Sequence, residues 1–303
     1  MGPAPVPRAA LWRAGMGSSA AAADTGGHAG TKESTMVTEQ SSIRPRKPPV
    51  PFEQGLTRHW LGGAAVPTHI VNAVNLLFPA GERFFIRSVA RYADRVDDPS
   101  LRAQMKAFFG QEGHHAKAHE RFFDLLRGQG YEIDRFLRAY ERVAYDGIER
   151  LCPPELRLAV TAALEHYTAI MAEDALQAGT LDLAHPTARA LLLWHAAEEI
   201  EHKTVAFDVL KVVNPSYTLR LLGFAVATIT LSMFWLAALL VLLAQERRRP
   251  PEPGDRLPFP RRRSVLKDVF LRGILEYVRR DFHPSQNDNT HLARAYLAGI
   301  GVT

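Results

Sequence analysis

Two short stretches of the chain place a glutamate three residues before a histidine. QEGHHAKAHE, residues 111–120, holds Glu112, His115 and His119; HAAEEIEHK, residues 195–203, holds His195, Glu199 and His202. A helix turns about 100° per residue, so the members of each Glu–His pair lie about 60° apart on one face, with His119 and His195 on those same faces. A single pair of this kind on a charged helix is ordinarily a solvated contact. Its recurrence points to a pair of neighbouring divalent cations.

Such a centre needs one further carboxylate from each of two other helices, the pattern of di-iron and di-manganese helical bundles. Glu82 in FPAGERFF and Glu165 in VTAALEHYTAIMAED supply them, each among bulky apolar neighbours. Burying a lone carboxylate there is costly, and a dication offsets that cost. The predicted ligands in chain order are Glu82, Glu112, His115, Glu165, Glu199 and His202. Glu198 competes with Glu199 but has no histidine three residues later; Glu198, Glu201, His114 and His166 are expected off the ligand face. If the two ExxH helices run antiparallel, His119 and His195 reach one level and flank one end of the site. They then serve as hydrogen-bonding support or as extra ligands. This donor set suits iron first, with manganese or zinc as alternatives.

The elements that must position these residues are helical. Apolar spacing predicts helices over 65–94, with a break or kink at Pro79; over 98–128, opened by Asp98 and Pro99; and over 133–151. Two more follow over 154–178 and 185–213. No stretch alternates with a period of two between hairpin turns. The expected fold is all-α: a ferritin-like four-helix bundle over 55–213, in which the shorter helix before Pro153 serves as a crossover.

Residues 1–50 are rich in Ala, Gly, Ser and Pro and are expected to stay unpacked, ending in the stiff run RPRKPPVPF. Residues 219–245 enclose LLGFAVATITLSMFWLAALLVLLA, which carries no charge and is long enough to cross a bilayer core. A basic linker and helical tail complete residues 246–303, and much of the net charge of +5 sits in ERRRPPEPGDRLPFPRRR. Its place beside the apolar stretch favours a membrane surface over nucleic acid as partner. The arginines beyond that stretch would put this flank in the cytoplasm. For one clean crossing the helical domain would then lie outside, which fits poorly with a reducible iron site; membrane association with the domain in the cytoplasm is the expectation. The lone cysteine, Cys152, excludes an intrachain disulfide framework and a Cys-rich zinc site.

FPAGERFF, QEGHHAKAHE, WHAAEEIEHK and the late DFHPSQNDN together resemble the bacterial family described as predicted metal-dependent hydrolase, placed among ferritin-like helical proteins. The resemblance covers roughly residues 55–300. It implies a metal-dependent enzyme and a role for 281–289 as a lid or docking element. Ligand chemistry favours O₂-dependent oxidation of a hydrophobic or lipid-like substrate, with an external electron donor. The family description favours hydrolysis, for which a non-ligating glutamate such as Glu198 would act as base. A metal-binding membrane protein without catalysis is the third reading, and self-association into a homo-oligomer fits any of them.

Overall fold

The computed structural model describes residues 43–250 and 269–302, and among these the chain is all-α, with one isolated bridge between Leu61 and Ala184. The expectation of an unpacked segment over residues 1–42, and that of a basic linker over 251–268, fall outside the described residues.

Helix α1 (Ala65–Asn75) is separated from α2 (Phe78–Ala90) at Leu76–Leu77. Pro79 lies in the first turn of α2, where a missing N–H costs nothing. Helix α3 (Pro99–Gly128) opens on Asp98, whose carboxylate accepts from the Ser100 amide at 2.9 Å. Helix α4 (Asp134–Glu141) continues through a π-helical stretch, Arg142–Ile148, into the short α5 (Glu149–Leu151). After Pro153 come α6 (Pro154–Gln177) and, past a turn at Gly179, α7 (Pro186–His202).

The single helix expected over 185–213 is in fact two. It breaks at Lys203–Thr204, directly after His202, and resumes as α8 (Val205–Val213). A buried ammonium must be satisfied, and the break aims that of Lys203 at the Asn287 carbonyl and the Asn289 side chain. DFHPSQNDN is thereby strapped to the domain: Asn287 and Asn289 also donate to Glu173 of α6, and His283 meets Asp208 of α8 at 2.8 Å.

Helices α2, α3, α6 and α7–α8 pack on one another. Helices α3 and α7 are antiparallel, for Gln111 faces His202, His115 faces Glu198, and His119 faces His195. Along α3 the polar stretch 111–119 lies between two apolar clusters, one containing Phe108 and Phe207, the other Phe122 and Trp194.

The apolar stretch forms α9 (Tyr217–Glu246), long and apolar enough to cross a membrane by length and composition. It does not stand apart from the domain; it packs along α6 and against α1. Gly223 permits this approach, since a Cβ there would come within 2.6 Å of the Ala159 backbone. On the outer side Leu222, Ile229, Met233, Leu236 and Leu240 are exposed. Helices α10 (Arg272–Tyr277) and α11 (Thr290–Gly299) pack on α6, the latter also on α7.

Residues 43–50, expected as part of an unpacked lead-in, have no regular secondary structure but lie against the domain. Val50 is buried, and Pro45 sits so close to Gly110 that a Cβ on that glycine would fall 2.4 Å from the proline Cγ.

Candidate metal centre

The six side chains singled out from sequence converge in the interior, and all six are buried. His202 Nε2 lies 3.0 Å from Glu112 Oε1, 3.4 Å from Glu165 Oε2 and 3.5 Å from Glu199 Oε2. His115 Nδ1 lies 3.5 Å from Glu199 Oε1 and 3.8 Å from Glu112 Oε1. Glu112, Glu165 and His202 form one trio able to hold a cation; three overlapping ones are Glu82, Glu112 and His115, then His115, His195 and Glu199, and last Glu82, His119 and His195. The trios share members, so the places at which a cation could sit adjoin one another.

The donor atoms face one another without the hydrogen bonds that buried polar atoms ordinarily make. Both oxygens of Glu82, Glu112 and Glu165, Oε2 of Glu199, Nδ1 of His115 and Nε2 of His202 have no hydrogen-bond partner. Four carboxylates packed together in a buried interior would carry four negative charges, which two dications neutralise. The residues therefore fit a dinuclear centre on charge as well as on donor type.

Without a cation the same crowding shifts the titrations. Burial raises the Glu82 and Glu165 carboxyls well above the usual range, and the neighbouring carboxylate of Glu112 adds to it. Glu112 is also raised by burial, against the pull of His202. Burial pushes Glu199 up too, but His202, His115 and His195 outweigh it and hold its carboxyl well below the usual range. For His115 burial favours the neutral ring, yet contacts with Glu198 and Glu199 raise it to about 10; His202 is raised well above the usual imidazole value by Glu199 and Glu165. A cation entering the site must displace these protons.

An outer layer fixes the rings. His115 Nε2 lies 3.1 Å from Glu198 Oε2; a carboxylate can only accept, so Nε2 carries the hydrogen and Nδ1 is free for the site. His202 Nδ1 donates to Gln111 Oε1 at 2.9 Å, leaving Nε2 inward, and the Gln111 amide donates to Glu201 at 2.9 Å. Arg46 closes the layer, bonding Glu201 at 2.6 and 3.0 Å and Glu198 at 3.4 Å. Glu198 and Glu201 are thus off the ligand face, as the helical spacing requires. The use of Glu198 as a hydrolytic base is corrected by this geometry, because both its oxygens are engaged. His166 also points elsewhere, to the Gly273 carbonyl at 2.9 Å.

His119 and His195 do meet at one level, Nε2 to Nδ1, at 2.6 Å. His195 Nε2 lies 2.7 Å from Glu199 Oε1 and 3.8 Å from Glu82 Oε1, at the edge of the carboxylate cluster. His119 stands behind it, with Nδ1 lacking a partner, and Phe78 packs on both rings. Burial keeps both histidines neutral: His119 falls well below the ordinary imidazole value, and His195, with His115 adding to the effect, falls to about 4.

Sequence reasoning missed Gln111, Arg46 and the role of Glu198. Gln111 stands next to a ligand, and a polar residue at helical spacing behind an ExxH pair is the signal that could have found it. Arg46 carries no local signal, because its partners are more than 150 residues away.

A further trio, His59, His69 and Glu246, lies within ligand reach at the end of α9. The Trp60 indole donates to Asn72 Oδ1 at 2.9 Å, which turns the Asn72 amino group toward His69 Nδ1 at 3.5 Å. Nε2 of His69 then keeps its hydrogen and donates to Glu246 at 3.1 Å, while the Tyr131 hydroxyl donates to the same oxygen at 2.6 Å. The trio is satisfied as a hydrogen-bonded pin between α9 and α1.

No curated protein and no solved structure matches the chain. One family model does, over residues 44–288, which takes in Arg46, every residue of the site, α9 and most of the 281–289 strap. With buried His and Glu trios able to hold metal and a match over most of its length, the chain belongs to the family described as predicted metal-dependent hydrolase.

Proposed function

We propose that α2, α3, α6 and α7–α8 constitute a ferritin-like four-helix bundle whose interior holds two cations, iron first by donor chemistry. Glu165 and His202 would hold one, Glu82 and His115 the other, with Glu112 and Glu199 between them and His195 as an additional donor. The observation that carries this reading is the set of seven buried carboxylate oxygens and two ligand-facing imidazole nitrogens that meet only one another and have no hydrogen-bond partner outside the cluster.

We assign the enzyme to O₂-dependent oxidation of a hydrophobic or lipid-like substrate, with electrons from an external donor. Bound iron would supply the O₂ activation that an unactivated C–H bond requires. The chain's own residues supply the rest. Glu198 and Gln111 orient His115 and His202, the packing around the site excludes water, and Phe78 shields the His119–His195 pair. His195 Nε2 donates to Glu199 and its Nδ1 accepts from His119 Nε2, so the pair fixes the His195 ring at the edge of the site. The exposed apolar stripe of α9 lies on a membrane surface, with the domain on the cytoplasmic side.

Hydrolysis is the second reading, favoured by the family description. Against it stand the engaged oxygens of Glu198 and the apolar cavity that borders Glu82.

Metal analysis of protein from cells supplied with iron and manganese tests the proposal. About two metals per chain are expected, lost in Glu82→Ala, Glu165→Ala, Glu199→Ala and His202→Ala and kept, at reduced affinity, in Glu201→Ala. Wild-type stoichiometry in all four ligand variants overturns it. Iron with a near-ultraviolet oxo-bridge band after air exposure supports oxidation; zinc or manganese with cleavage of simple esters supports hydrolysis.

A further inference from the structure

Glu82 is shared between the carboxylate cluster and a narrow cavity of about 110 Å³. The cavity runs between α2, the π-helical stretch after α4, α6 and α9. Its walls are almost wholly apolar: Phe78 and Phe85 of α2, Leu164 and Met171 of α6, and Val226 and Phe234 of α9 among them. Its charged lining is confined to Glu82 at the site and to Glu149 and Arg157, whose side chains reach solvent. An apolar slot of this size, with one carboxylate at the chemistry and a charged rim elsewhere, matches a short terminal segment of an amphiphile's apolar chain.

Two features give this slot a way in. The first is the wall formed by Ala144, Tyr145 and Ile148, which belongs to the π-helical stretch Arg142–Ile148, a segment with no buried residue. π-Helical turns inside α-helices frequently mark functional sites. The second is α9. At about 100° per residue, the positions facing the cavity (Val226, Thr230, Phe234) lie about 100° around the helix from the exposed stripe of Ile229, Met233, Leu236 and Leu240. The apolar outer surface therefore adjoins the cavity wall on the same helix, without a polar face between.

We propose that this cavity receives the terminal segment of the apolar chain of a fatty-acyl-type substrate, drawn from beside α9, and lays it against the Glu82 side of the site. This inference rests on the metal-centre reading for its chemistry, but chain binding and metal binding are separable, because Glu165 and His202 do not line the cavity.

The test uses full-length protein in bilayer nanodiscs and a long-chain fatty acid carrying a diazirine near its methyl end, with crosslinks mapped by mass spectrometry. Crosslinks are expected on the cavity-facing residues of α6 and α9. Ala144→Phe on the half-buried outer wall and Thr230→Trp on α9 each fill the slot. Each is expected to cut crosslinking by at least about tenfold while metal content stays at the wild-type level. Crosslinks confined to the exposed stripe of α9, or undiminished in both metal-retaining variants, overturn the proposal. Glu165→Ala separates the two readings: it is expected to lose metal and keep the crosslinks. Full metal in that variant would count against the metal centre and leave the cavity assignment to the two filling variants.

Discussion

Gln111 stands behind His202, its Oε1 2.9 Å from the ring Nδ1, on the side opposite the carboxylates that approach Nε2. The amide therefore decides which nitrogen faces the site. Gln111→Ala is expected to weaken metal binding by about 10–100-fold without abolishing it, the usual cost of losing a group that orients a metal-bound imidazole. Titration with a competing chelator measures this, and His202→Ala provides the full-loss reference.

Gly110 tests whether the lead-in matters to the site. Because Pro45 occupies the space a Cβ would need, Gly110→Val must displace residues 43–46. Arg46 would then leave Glu198 and Glu201, two carboxylates with little or no exposure. The expectation is reduced metal affinity and a loss of about 1–3 kcal/mol in stability, although no ligand has changed. Chelator titration and thermal unfolding of the same preparation check both effects.

The metal-free protein should lose stability as pH rises from about 7 to about 10. His115 is raised to about 10 and His202 well above the usual imidazole value. In this window the folded chain holds protons that the unfolded chain, titrating near the ordinary imidazole value of about 6.5, has released. Stability then falls with pH. A cation takes the place of those protons, so the loaded protein should show a much flatter profile. Calorimetry on chelator-stripped and reconstituted samples makes the comparison.

The outer face of α9 offers a fourth test. Replacing Ile229, Met233 and Leu236 together by serine removes exposed apolar area and leaves the buried face untouched. Flotation with vesicles should fall several-fold while metal content and unfolding temperature hold. Unchanged flotation would detach the membrane reading from this helix.

The six converging side chains were legible because their signals are local. Glu112–His115 and Glu199–His202 each sit on one helix, and Glu82 and Glu165 are carboxylates in apolar runs; helical period alone brings them inward. The Asp98 cap and the stop near Gly179 are local in the same way. What sequence did not disclose depends on contacts far along the chain. Glu198 differs from Glu199 by one position, about 100° of rotation, and only the antiparallel α3 shows that its face meets the back of His115. Arg46 and the 281–289 strap reach the site's outer layer and the Lys203 break from distant segments. The π-helical stretch follows from no pattern in RVAYDGI that marks it off from an ordinary helix.

The close seating of Gly223 on Ala159 has a consequence for how the protein can be divided. Helix α9 reads as a removable anchor, yet its inner side is masonry: Phe224, Ala227, Phe234, Ala238 and Leu242 are all buried in the body of the domain. A chain cut before Tyr217 would lose one wall of the apolar cavity beside Glu82 and lay bare the flank of α6, the helix that carries Glu165. Severing the greasy helix to obtain a tractable fragment would therefore unwall the very interior in which Glu82 and Glu165 are sheltered.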